Sequence, residues 1–175
     1  MRRLQQGGMA ALVWLAGAVG CASAEPMAVT PMSTDTQRST TSTAALDFGD
    51  STSQTLTVKA WEALNAGDYL AADTYASKCI ELYEAKAKEQ QAALTDFAPK
   101  ESAFDQWALN DVATCSFIRG KVAVAQGKQA EAKALFETVI RDFKFAQCWD
   151  PKGWFWKVAV GSRGRINKIL AETGR

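Results

Sequence analysis

Residues 117–140 read FIRGKVAVAQGKQAEAKALFETVI, and the spacing in this stretch decides the fold. Before Gly127 the apolar positions Val122 and Ala125 continue a stripe that begins at Phe104. It runs through Trp107, Ala108, Val112, Cys115 and Ile118 at steps close to three and four. That period is helical and predicts one helix over 101–126, which Gly127 stops. Past the glycine, Ala132, Leu135, Phe136, Val139 and Ile140 repeat the period and predict a second helix over 128–143. Two helices joined by so short a turn lie antiparallel, apolar face to apolar face.

Working outward, the upstream chain has the same grammar. A helix over 53–65 carries Leu56, Ala60, Ala63 and Leu64 on one face and stops at Ala66-Gly67. The next begins at Asp68, carries Tyr69, Ala72, Ala76, Cys79, Ile80 and Tyr83, and continues through EAKAKEQQAAL as far as Phe97, before Pro99. Downstream, Asp150-Pro151 offers an N-cap followed by proline. It predicts a last helix through Trp154, Phe155 and Val158 towards Ile166, Ile169 and Leu170, weakened by Gly161 and Gly164. No stretch alternates apolar and polar residues as a strand would. The expected class is all-α: antiparallel helix hairpins stacked over residues 53–172, closed by a C-terminal capping helix.

The first residues belong to a different layer of organisation. Arg2 and Arg3, the apolar run MAALVWLAGAVG from Met9, and then CASAEP read as a secretory signal over residues 1–24. Two processing sites overlap. Ala22-Ser23-Ala24 suits ordinary signal peptidase, whereas Ala18-Val19-Gly20-Cys21 resembles a bacterial lipobox, with a lipid anchor on Cys21 and a signal ending at residue 20. A cysteine where the apolar core ends favours the lipoprotein. Residues 25–52, rich in Ser and Thr, bury too little to offset their ordering entropy and read as a disordered tether. The expected address is the periplasm, anchored at the outer membrane, with a soluble periplasmic or secreted chain as the alternative.

Composition closes off several functions. The chain has no histidine, which removes the commonest general base and most zinc sites. Removing Arg2 and Arg3 with the leader leaves 18 basic residues against 19 acids, so no nucleic-acid partner is implied. Nothing calls for a metal or a cofactor. Of the cysteines beyond the leader, Cys79 and Cys115 fall on apolar helix faces, while Cys148, in a loop, is the one expected to pair or react. An oxidising compartment permits one disulfide among the three. A glycosidase would need two carboxylates across a cleft, and Asp105, Asp111, Asp142 and Asp150 find no such pairing in a short stack without a deep pocket.

The two helix pairs align: Ala60, Gly67, Tyr69, Ala72, Ala76 and Cys79 fall in register with Gly120, Gly127, Gln129, Ala132, Phe136 and Val139. In this register the chain resembles the tetratricopeptide repeat (TPR). The turn glycines stand 60 residues apart, against a family period of about 34, so the long second helix and the Pro99 region form an insertion. The resemblance implies a short TPR-like right-handed superhelix whose concave groove, lined by the first helix of each pair, binds a peptide or another envelope protein. The groove residues it implies are Trp61, Asn65, Asn110, Asp111, Thr114 and Lys121. The chain is also similar to small exported bacterial repeat proteins with a WALNDVAT helix and an AQCWDPKGWFWKVA closing segment, some of them labelled beta-glucanase precursor. In that segment Trp149, Trp154 and Trp156 read first as a seal on the open end of the stack and second as a platform for a sugar or a partner. The expected function is a non-enzymatic protein-binding scaffold of the envelope, with a glycan-binding or glycan-processing protein as the alternative.

Overall fold

The computed structural model describes residues 45–150 and 152–174. Among these the chain is mostly helical, with five α-helices and one two-stranded sheet. Helices α1 (Ser53–Ala66) and α2 (Tyr69–Ala92) form the first hairpin. The side chains of Thr52 and Asp68 cap them, accepting from the N–H groups of Thr55 and Ala71. Helices α3 (Trp107–Ala125) and α4 (Gln129–Asp142) form the second.

Both hairpins turn on the same device. Gly67 sits at φ +78°, and the N–H groups of Gly67 and Asp68 bond back to Leu64 and Ala63 at 3.1 and 2.9 Å. Gly127 sits at φ +75°, and the N–H groups of Gly127 and Lys128 reach Val124 and Ala123 at 3.0 and 2.8 Å. Both glycines leave open space where a side chain would stand, so the left-handed backbone alone calls for them. Gly120 serves a different purpose. A Cβ there would lie 2.5 Å from the Phe136 ring, so the missing side chain is what lets α4 close on α3.

Helix α3 is the axis of the core. It packs on both helices of the first hairpin, on α4, and on the elements that follow. From Ala108 to Ile118 it buries residues on every side, including Leu109, Ala113, Ser116 and Phe117. A helix enclosed on all faces needs apolar or small residues around its whole circumference.

Four features depart from the expected layout. Leu46 and Phe48, in the stretch expected as tether, pack on the core, Phe48 edge-on to Tyr75 at 5.5 Å; packing thus begins upstream of residue 53. Helix α2 ends at Ala92 rather than Phe97, and the chain turns back so that Phe97 meets Phe145 at 5.5 Å. Residues Lys100–Gln106 form a 3-10 helix rather than the start of α3. Gln90 of α2 explains that boundary: its amide nitrogen donates to the Asp105 carbonyl and its amide oxygen accepts the Leu109 N–H, each at 2.9 Å. A side chain from another helix thereby satisfies an N–H that the start of α3 leaves free.

The fourth departure corrects the last helix. Gln147–Asp150 and Trp154–Lys157 are strands β1 and β2, paired antiparallel with Cys148 opposite Trp156 and Trp149 opposite Phe155. Asp150 opens the turn instead of capping a helix. Its carbonyl accepts the Gly153 N–H at 2.9 Å and its carboxylate the Lys152 N–H at 2.8 Å, while Gly153 takes φ +95°. Helix α5 then runs unbroken from Val158 to Thr173 and packs on α4. Gly161 does not interrupt it; a Cβ at that position would stand 2.9 Å from the Trp156 ring, so the glycine makes room for β2.

Replacing Gly120 with alanine forces the Phe136 ring out of its place and is expected to destabilise the domain by about 1–3 kcal/mol. Urea denaturation measures this, and Phe136→Leu should lessen the penalty in a double-mutant cycle. An unchanged midpoint for Gly120→Ala refutes the close approach.

Candidate functional site

Where the first helices of the two hairpins face the β1–β2 hairpin, the domain opens into a cleft of about 1360 Å³. This corrects the expectation that a short stack offers no deep pocket. Helix α1 contributes Ser53, Thr57, Trp61 and Asn65, and α3 contributes Asn110, Asp111 and Thr114. The strands close the far side with Cys148, Trp149, Trp154, Phe155 and Trp156. The rim is aromatic. Phe104 meets Phe155 at 5.1 Å and Trp149 at 6.1 Å, and Tyr83 meets Trp107 edge-on at 5.6 Å. Phe104, Trp107, Trp149 and Trp154 all remain exposed, which is a large uncovered aromatic surface for a domain of this size.

All the residues singled out as groove except Lys121 share one cleft with those singled out as aromatic platform. Within it they play unlike parts. Asn110 is a structural clip: its nitrogen donates to Ala103 O and its oxygen accepts the Gln147 N–H, both at 2.8 Å, fastening the 3-10 helix and β1 to α3. Thr114 is buried and donates to the Asn110 carbonyl at 2.7 Å. Asn65 is exposed on the lining. Lys121 is not part of the lining; its ammonium lies over the Trp61 ring, 4.9 Å from the centroid, and burial together with Arg165 lowers its pKa. Cys21 falls outside the described residues.

Asp111 is the chemically distinctive member. Its carboxylate accepts one hydrogen bond, from the Ser53 hydroxyl at 2.5 Å, and burial pushes its pKa up to about 6 against the pull of that bond. No salt bridge among the described residues reaches it. Asp50 and Asp150 line the same cleft, and among the described residues no Lys or Arg does. Asp105 and Asp142 lie off it, Asp142 bound by Arg141 at 2.7 Å.

The thiols correct a second expectation. Cys79, Cys115 and Cys148 are free, and Cys148 lies in β1 rather than a loop, hydrogen-bonded with the Thr114 hydroxyl. Burial pushes its pKa up to about 12 and also raises that of Cys115. A thiol so protonated is a poor nucleophile. Thr57 contacts the other two sulfurs, at 3.3 Å from Cys115 and 3.8 Å from Cys79. Sequence reasoning passed over Ser53 and Thr57. Polar residues on the same helix face as Leu56 and Ala60 were the available signal.

Two outcomes follow. A carboxyl whose folded pKa exceeds its unfolded value of 3.8 destabilises when ionised. The cost is absent below about pH 3.8, grows up to pH 6, and is complete above it. Asp111→Asn should therefore raise stability by up to about 3 kcal/mol at pH 7.5 and by almost nothing near pH 3.5, read by urea denaturation at both. Native protein at pH 8 should leave buried Cys79 and Cys115 unmodified by a disulfide reagent and label Cys148 slowly, its thiol being held protonated, while urea exposes all three; rapid native labelling of Cys148 contradicts the raised pKa. No family model, curated protein or solved structure matches the chain, so the cleft must be interpreted from its own chemistry.

Proposed function

We propose that this chain is a non-enzymatic, TPR-like binding domain of the bacterial envelope, and that its cleft holds an extended segment of another protein. The observation that carries this is the composition of the cleft: the first helix of each hairpin faces it, and an aromatic β-hairpin walls it. The packing order supports the repeat reading. Helix α3 lies against both α1 and α2, and α5 against both α4 and α3, as successive hairpins of a stack do. Wide, open and rimmed by exposed rings, the cleft suits a chain laid along it better than a small enclosed molecule.

A second reading has an observation in its favour. Trp149, Trp154 and Trp156 all line the cleft, beside Asn and Asp side chains that could bond sugar hydroxyls, as a glycan-binding site would need. Because both readings use the same walls, replacing tryptophans cannot separate them. Ligand identity can. Selecting peptides from a random display library against the purified protein should yield sequences that quench cleft tryptophan fluorescence and lose at least about tenfold affinity with Trp107→Ala plus Trp149→Ala. Quenching by laminarihexaose or peptidoglycan fragments, with no peptide selected, reverses the choice.

The envelope address belongs to the same proposal, with Cys21 as lipid anchor and the Ser/Thr-rich stretch as tether. No helix among the described residues is long and apolar enough to cross a membrane. Mass spectrometry of the mature N terminus tests the anchor. Diacylglyceryl-Cys21 is the expected terminus, and an unmodified Glu25 removes the anchor from the proposal.

A further inference from the structure

We infer that the segment held in the cleft presents a cationic side chain, lysine or arginine, to Asp111. This deepens the reading of the cleft as a groove for a protein segment and rests on it.

The argument begins with an imbalance. A carboxylate offers about four acceptor positions, and among the described residues Asp111 receives one hydrogen bond, from Ser53. It is half-buried on the cleft lining, with no ion pair among the described residues to offset the hydration it loses. Asparagine would fill the same space without that penalty, so a charge kept at the floor of an open cleft points to a ligand that completes it.

The surroundings narrow the ligand. Asp50 from the segment before α1 and Asp150 from β1 carry the other formal charges of the lining, and both are acidic. A low-dielectric cleft with charges of one sign concentrates ions of the other. Its walls offer ring faces, which attract ammonium and guanidinium groups, and Trp61 already carries one, the Lys121 ammonium at its margin. Among the described residues of the lining, an anionic segment would meet three carboxylates and no cation. A terminal-carboxylate ligand is therefore disfavoured, whereas a lysine or arginine flanked by apolar residues satisfies both the floor and the walls.

The groups facing Asp111 set how pH acts on such binding. Ser53 and Thr57 on α1 do not titrate near neutrality, and the thiols of Cys115 on α3 and Cys148 on β1 stay protonated. Asp50 and Asp150 lie elsewhere on the lining, and Lys121 stands at the Trp61 margin, with Arg165 near enough to lower its pKa. Asp111 is thus the group that changes charge as pH falls through about 6. A bound cation would draw its proton off, so binding weakens below that pH.

Four positional libraries of N-acetylated, C-amidated hexapeptides test this, degenerate except for one central residue fixed as lysine, arginine, norleucine or glutamate. Tryptophan quenching of the full chain at pH 7.5 should rank lysine and arginine at least about tenfold above norleucine, with glutamate weakest. Asp111→Asn, checked for folding by its thermal transition, should erase the cationic advantage yet keep the norleucine signal, and wild-type preference should shrink at pH 5. Equal binding of the lysine and norleucine libraries overturns the inference and leaves the protein groove standing. If no library binds, the inference falls; laminarihexaose quenching in that case removes the protein-groove reading as well.

Discussion

The domain turns on the Phe117 ring. It meets Trp61 of α1 at 6.3 Å, Phe136 of α4 at 5.5 Å and Trp156 of β2 at 5.3 Å, and so joins the first hairpin, the second and the strands through one side chain. Two glycines make that junction possible. At Gly120 an added Cβ would strike Phe136, and at Gly161 it would strike Trp156. The aromatic stack is thus set between backbones that approach closely because they carry nothing at those points. The cleft inherits its shape from this packing, since Trp61 and Trp156 each turn one side to Phe117 and also line the opening.

Against that rigid frame the floor of the cleft is held at a cost. Folding would be easier with a neutral residue at position 111, because burial raises the carboxyl to about 6 and one hydroxyl does not offset the lost water. Asn110 and Thr114, either side of Asp111 on α3, show polar residues that each bond to more than one partner. Their groups bond to Ala103, Gln147, Cys148 and the α3 backbone, and they hold the walls together. The contrast separates lining residues that tie elements together from Asp111, whose one hydrogen bond among the described residues is to Ser53.

Most of the helical layout was legible because it rests on period and glycine. Gly67 and Gly127 mark left-handed caps whatever packs around them, and the stripes on α1, α3 and α4 follow from which faces are buried. What escaped depended on tertiary partners. Phe117 lies off the apolar stripe and matters only because α3 is covered on its second face too. Gln90 sits within the EAKAKEQQAAL stretch of the second helix, and its role needs Asp105 and Leu109 brought opposite it. The strands were misread for a local reason: Asp-Pro followed by aromatics suits a helix start, but Asp150 to Gly153 equally spells a turn, and the dense aromatics of WFWK favour a strand beside it. A two-residue period cannot establish itself over four residues.

That misreading also concealed the site. As a helix, the segment from Trp149 to Trp156 would spread its rings around a cylinder, and sealing the stack would compete with facing a ligand. As a hairpin it packs on the stack and lines the cleft at once. Strand pairing puts Cys148 and Trp156 on one face and Trp149 and Phe155 on the other. The first pair packs on Thr114 and Phe117 and closes the stack, while the second pair meets Phe104 and extends the aromatic rim. The rings that pack on the stack and the rings that extend the rim therefore lie on two faces of one element. Trp61, Asn65, Asn110, Asp111 and Thr114 and the tryptophans of the closing segment line one cleft.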